Sequence, residues 1–150
     1  MAVDFILGIN AKLYYGTNDA ELSAMTEASN VKDLTVSVSA GEADISTRAN
    51  QGWRATAATL RECELSWTMN WKPGDAFFTA IKTAMLTSTT VCLAALTGLK
   101  EGEGSAGSSG PHGNFSITKF DRKEGLEEAI TVDVTAKLAK YIAWVEVVAV

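Results

Sequence analysis

The sequence predicts a mainly β domain carrying a single α-helix at about residues 75–86. Apolar and polar residues alternate with a period of two through most of the 150-residue chain, the signature of half-buried strands. One stretch alone switches to helical spacing. Thr and Val crowd the alternating segments, where β-branched side chains pack well on a pleated surface. The length suits one domain, and a hydrophobic fraction of 47% with 21% charged residues is that of a soluble globular protein. A chain of this size buries roughly 68–70% of its unfolded surface, so a core forms without disulfide staples.

Taken in order, residues 9–15 read as a first strand. Residues 33–39 follow, with Leu34, Val36 and Val38 inward and Asp33, Thr35, Ser37 and Ser39 outward. The clearest alternation runs over 61–71. Cys63, Leu65, Trp67, Met69 and Trp71 occupy one face, and Glu62, Glu64, Ser66, Thr68 and Asn70 the other. Pro73-Gly74 ends that strand and Asp75 is placed to cap a helix. Phe77, Phe78, Ile81, Ala84, Met85 and Leu86 then give the helix an apolar face. Further strands are predicted at 90–96, 115–120, 129–138 and 142–148. In 129–138, Ile130, Val132, Val134, Ala136 and Leu138 oppose Thr131, Asp133, Thr135 and Lys137. Two long connections remain: 40–59, of mixed polar composition, and 98–113, a Gly/Ser-rich flexible loop. Neither separates two cores, so residues 1–150 form a single domain.

Several function classes fall away. A net charge of −5 with no Lys/Arg stripe argues against a nucleic-acid-binding surface. Cys63, Cys92 and the single His112 are too few for a zinc site, so no metal and no cofactor is expected. Gly102 to Gly107 matches G-x-G-x-x-G, but Pro111 and the glycines that follow deny it the helix that a dinucleotide needs. His112 reads as a solvated loop histidine. Glu62 and Glu64 lie roughly 7 Å apart on one strand face, but Trp67 and Trp71 point the other way, so no sugar-stacking cleft surrounds them. The N-terminus lacks the positive charge of a secretory signal, and no apolar run reaches the ~18 residues of a membrane helix. Synthesis in the cytoplasm with free thiols is the expectation. No catalytic constellation survives, and the expectation is a non-enzyme.

The run Gly41-Glu42-Ala43-Asp44-Ile45-Ser46-Thr47-Arg48, then Gly52-Trp53-Arg54-Ala55-Thr56, then the 60–71 strand resembles the tail tube proteins of long-tailed bacteriophages. The likeness continues in the helix after Pro73 and in residues 126–135, and covers roughly residues 5–140. It implies a β-sandwich or partial barrel of antiparallel strands with one flanking helix. It also implies a homo-oligomer: rings of six stacked into a hollow tube in the virion tail. Such a tube conducts double-stranded DNA without sequence-specific binding, and works with a tape-measure protein and with tail terminator and initiator proteins. Tubes of contractile tails, tailocins and type VI secretion are the related alternative; a monomeric β-sandwich that binds a ligand is the alternative of a different class.

Within that frame the 40–59 connection is the candidate ring-to-ring stacking loop. Arg48, Trp53 and Arg54 are its anchors, since Trp flanked by Arg is a common interface pattern, and Glu42 and Asp44 are their acidic partners. Residues 1–8 form an N-terminal arm and a second candidate contact. A DNA conduit should repel phosphate, so Glu62, Glu64 and Asp133, with Asp33 the weaker case, are the candidate lumen-facing acids.

Overall fold

The computed structural model describes residues 7–98 and 108–147. A 3-10 turn (Gly8–Asn10) leads into β1 (Lys12–Gly16), β2 (Thr26–Glu27), β3 (Val31–Asp44), β4 (Thr56–Asn70), α1 (Ala76–Thr87), β5 (Thr90–Leu96), β6 (Ser108–Lys123) and β7 (Thr131–Val147). These strands form one antiparallel sheet in the order β2-β1-β5-β6-β7-β4-β3. Among the described residues no ladder joins β2 to β3, so the sheet stays open, as a partial barrel.

The sheet is stepped. β6 and β7 pair with each other from Ser108↔Val147 to Lys123↔Thr131. β5 uses only the first half of β6, from Ala94↔His112 to Thr90↔Ser116, and β4 uses only the first half of β7, from Asn70↔Thr131 to Glu64↔Lys137. Two half-sheets thus share one pair of long strands. The ladder slips at His112/Gly113, Asn114/Phe115 and Ile117/Lys119, where the halves meet. Each slip inserts an unpaired residue and increases local twist and bend. Side chains of both halves accordingly meet in one core: Leu13, Leu93 and Phe115 from one, Leu65, Met69, Val132 and Val134 from the other.

α1 fills the hollow of that bend. The Asp75 carboxylate accepts a 3.1 Å bond from the Phe78 N–H, satisfying an amide that the helix leaves free. Phe77, Phe78, Ile81 and Ala84 are buried. Phe77 lies 5.0 Å from the Tyr15 ring and 5.8 Å from Trp67, and Phe78 meets Trp71 edge-on at 4.8 Å. Leu86, expected on this face, is 75% exposed because the helix rides on the sheet with a narrower stripe.

The opposite face of the sheet is polar over β4, β6 and β7, but apolar at the β1–β5 end. There residues 17–25 fold over Tyr14, Cys92, Ala94 and Leu96. Asp19, in the left-handed region at φ 62, holds this flap down. Its backbone N–H donates to Asn114 Oδ1 at 2.9 Å, its carboxylate accepts from Asn114 Nδ2 at 3.1 Å, and Lys140 Nζ reaches the same oxygen at 2.8 Å. His112 is buried beneath the flap and is no solvated loop residue. Its Nε2 stands 3.0 Å from the Ala20 carbonyl oxygen and 3.3 Å from Cys92 Sγ.

Several sequence boundaries shift. Residues 8–10 turn rather than extend, and the strands predicted at 129–138 and 142–148 are one strand, β7, because the long β6 pairs with it throughout. The 40–59 connection is shorter than read, because ladder takes both its ends: β3 runs to Asp44 and β4 begins at Thr56. Ser108–Lys123 is all strand, so residues 108–113 leave the Gly/Ser-rich loop. Gly110 is required there, since a Cβ would collide with the Ala95 carbonyl oxygen. The rest of that loop, with the glycine motif at 102–107, lies outside the described residues, as does the arm up to residue 6. Cys63 and Cys92 are free and buried, and burial raises both thiols above their ordinary pKa.

Phe77→Ala should destabilise the fold by about 3–5 kcal/mol, the cost of truncating a buried aromatic, and Asp75→Ala by about 1 kcal/mol; denaturant melts measure both. The bond from Lys140, then that from Asn114, lowers the Asp19 pKa. A carboxylate of depressed folded pKa stabilises above its unfolded pKa and loses that contribution as pH falls through the folded value. Asp19→Asn should therefore flatten the decline of the urea midpoint as the pH falls below the ordinary Asp pKa of about 3.9.

Candidate functional site

A long exposed feature is the β3–β4 hairpin. Beyond the last β4–β7 pair at Glu64↔Lys137 it stands alone as a two-stranded ribbon. From Glu64 to Thr56 it extends roughly 25 Å at ~3.3 Å per residue. Nearly every residue along it is exposed, including Val38 at 55%, Leu60 at 84% and Trp53 at 77%. An isolated two-stranded ribbon is marginal in water, so this one calls for a surface to lie against.

Its tip is nonetheless well built. Asp44 Oδ1 accepts from the Ser46 N–H at 2.9 Å, and the Ser46 hydroxyl accepts from the Ala55 N–H at 2.7 Å. Asn50 donates through Nδ2 to the Trp53 carbonyl at 2.9 Å, while its own carbonyl accepts from the Trp53 N–H at 3.0 Å. Gln51 at φ 53 and Gly52 at φ 81 turn the chain between them. These bonds hold Trp53 out in water, between exposed Arg48 and Arg54. Hydrogen bonds from Ser46 also depress the Asp44 pKa, so Asp44 serves the turn of its own chain. Glu42 sits lower on the arm, opposite Ala58.

The expected acids divide. Glu62 and Glu64 stand on the polar sheet face, Glu64 opposite Lys137. Asp133 shares that face and is engaged: Thr68 donates to it at 2.8 Å and Lys123 reaches it at 2.7 Å. The Lys123 bond, then Thr68, lowers the Asp133 pKa. Lys119, Lys123 and Lys137 interleave with the acids by register, so this face is charge-mixed rather than uniformly acidic. Asp33 is apart from the others. It forms the β3 bulge at φ 55 and edges a groove on the other side of the sheet.

That groove holds about 740 Å³. It opens where the bent sheet fails to close, between the start of β1 and residues 31–36 of β3. Leu13, Leu96 and Pro111 line it on one side and Leu34 and Val36 on the other, with Trp144 at its mouth. Val36, expected in the core, is 40% exposed here because β3 is an edge strand and α1 covers the other end of the face. Sequence reasoning missed this groove and the exposure of Leu60; a period of two does not distinguish an edge strand from a central one.

No protein-family model matches the sequence, and no curated protein matches it either. Solved structures do. A chain in the tail of an empty gene transfer agent particle, refined with C6 symmetry, superposes with a TM-score of 0.71 at 14% identity, over 93% of this chain and 98% of that one. The SPP1 tail tube gives 0.70 at 15% identity, over 97% and 80%. The anti-feeding prophage baseplate, sixfold symmetrised, gives 0.62 at 6% identity, over 97% and 96%. The shared architecture extends across 93–97% of this chain, which carries the tail-tube fold.

Proposed function

We propose that this protein is a non-enzymatic structural subunit, the major tail tube protein of a long-tailed phage or related particle, assembling as stacked hexameric rings around a DNA-conducting channel. The observation that carries this reading is the hairpin arm: a hydrogen-bonded ribbon with exposed Trp53 at its tip and, among the described residues, no further strand paired with it. Its likeness in fold to chains of sixfold tail assemblies supports the ring. So does the stepped sheet, which among the described residues leaves strand edges on the outer side of β3 beyond Val36 and on the second half of β7. Unpaired edges template pairing between copies, and ring closure removes them.

In this reading the polar face of β4, β6 and β7 lines the channel. Glu62 and Glu64 stand there without a salt bridge among the described residues, while Asp133 is neutralised by Lys123. Glu62 and Glu64 therefore supply the repulsion that keeps phosphate sliding, and the interleaved lysines moderate it. The arm at 40–59, with Arg48, Trp53 and Arg54 at its tip, reaches from ring to ring. A tape-measure protein and terminator and initiator proteins complete the tail, a virion structure made in the host cytoplasm. The anti-feeding prophage likeness favours, as a second reading, the inner tube of a contractile apparatus.

Negative-stain microscopy tests the proposal. The purified protein should form rings or tubes, and a monomer at every concentration speaks for a ligand-binding module instead. Trp53→Ala should abolish tube growth while leaving the circular dichroism and melting of the subunit unchanged. The pair Glu62→Lys and Glu64→Lys should still assemble but lower the infectivity of particles by at least tenfold; full infectivity would take these side chains off the channel wall.

A further inference from the structure

The groove between β1 and β3 has the shape of a receptor for a strand-like guest. It is bounded by two strand edges that face each other across a gap. β1 pairs with β2 only at Tyr14 and Tyr15, and the outer edge of β3 has no neighbour among the described residues. Backbone donors and acceptors thus border it, with an apolar floor between them. A small-molecule site would bring titratable groups together, and here they are spread along the rim.

Resting on the tube reading above, we propose that the guest is the hairpin tip of a second copy in the adjacent ring, with Trp53 seated in the groove. Placement comes first. The groove lies at residues 31–36 of β3 and the tip beyond residue 44 of the same strand, roughly 25 Å further along at ~3.3 Å per residue. Donor and receptor at opposite ends of one element make a head-to-tail contact, which propagates without closing on itself and so builds a stack. Chemistry agrees. Trp53 is 77% exposed on a tip fixed by hydrogen bonds, so little order is lost on insertion. Leu13, Leu34, Val36 and Pro111 offer it an apolar seat. Arg48 and Arg54 have no salt bridge among the described residues, and neither does Asp33 on the rim, while Glu27 nearby is held by Lys12 at 3.5 Å. Asp33, rather than Glu42 or Asp44, is then the acid that meets Arg54. Its neighbour Lys32 stands opposite Thr68, in the register of the polar face.

The test uses full-length protein. Copies carrying Ala49→Cys, at the tip, are mixed with copies carrying Ser29→Cys, at the groove, and treated with a short thiol-specific crosslinker; Cys63 and Cys92 are buried. Assembled tubes should give a heterodimer band, absent from unassembled protein and from either variant alone. Ser29→Trp, which fills the groove mouth, should reduce tube length at least tenfold while leaving single rings. Tubes of normal length from Ser29→Trp, or tubes of the mixed copies without the heterodimer, would overturn the groove as receptor and leave the tube reading standing. Wild-type protein that never assembles would overturn the tube reading and the groove with it.

Discussion

The ladder between β6 and β7 is the constraint on which the rest of the structure depends. It is the longest pairing in the molecule and the one that belongs to both half-sheets. Two of its three register slips fall within the stretch of β6 that pairs with β5 and the third just beyond it, so the ladder bends between the halves. A flat sheet would have left Leu65 and Leu93 far apart; the bend brings them around α1 into one core. Gly110 and the buried His112 belong to the same strand, which explains why residues of loop-like composition lie inside the fold.

The step in the sheet has a second consequence. Within the sheet, among the described residues, β3 and β4 join the rest only through the first half of β7, and their far ends project into solvent. Backbone hydrogen bonds close the ribbon within itself, yet its Val38, Trp53 and Leu60 side chains are exposed. Edge strands that carry exposed Val36 and Val38 are an aggregation hazard in a monomer. In the proposed tube they are the joints between copies. The proposed tube accounts for both the arm and the groove with one contact repeated along its axis.

Electrostatics bear on the wall of the proposed channel. Acids alone on the polar face would repel one another across neighbouring strands as well as repelling phosphate. Pairing Asp133 with Lys123, and setting Lys137 opposite Glu64, relieves that strain within the sheet. The unpaired Glu62 and Glu64 then remain as the proposed source of repulsion.

Local physics made much of this legible in the sequence. The alternation of Cys63, Leu65, Trp67 and Met69 with Glu62, Glu64, Ser66 and Thr68 requires a half-buried strand, and Asp75 followed by Phe77, Phe78 and Ile81 requires a capped helix with one buried face; both stand as read. The Gly-Glu-Ala-Asp and Gly-Trp-Arg runs led to the right fold. Tertiary structure alone decided which strands lie at an edge. Val36 and Val38 alternate as faithfully as core residues do, because periodicity records which face a side chain takes and not what lies over that face. It also decided the fate of Asp33, moved by a bulge to the rim of the groove, of Asp44, bonded into its own turn, and of His112, carried inward by the β6–β7 ladder. Those outcomes depend on pairings between residues far apart in the chain, which no window of neighbouring residues contains.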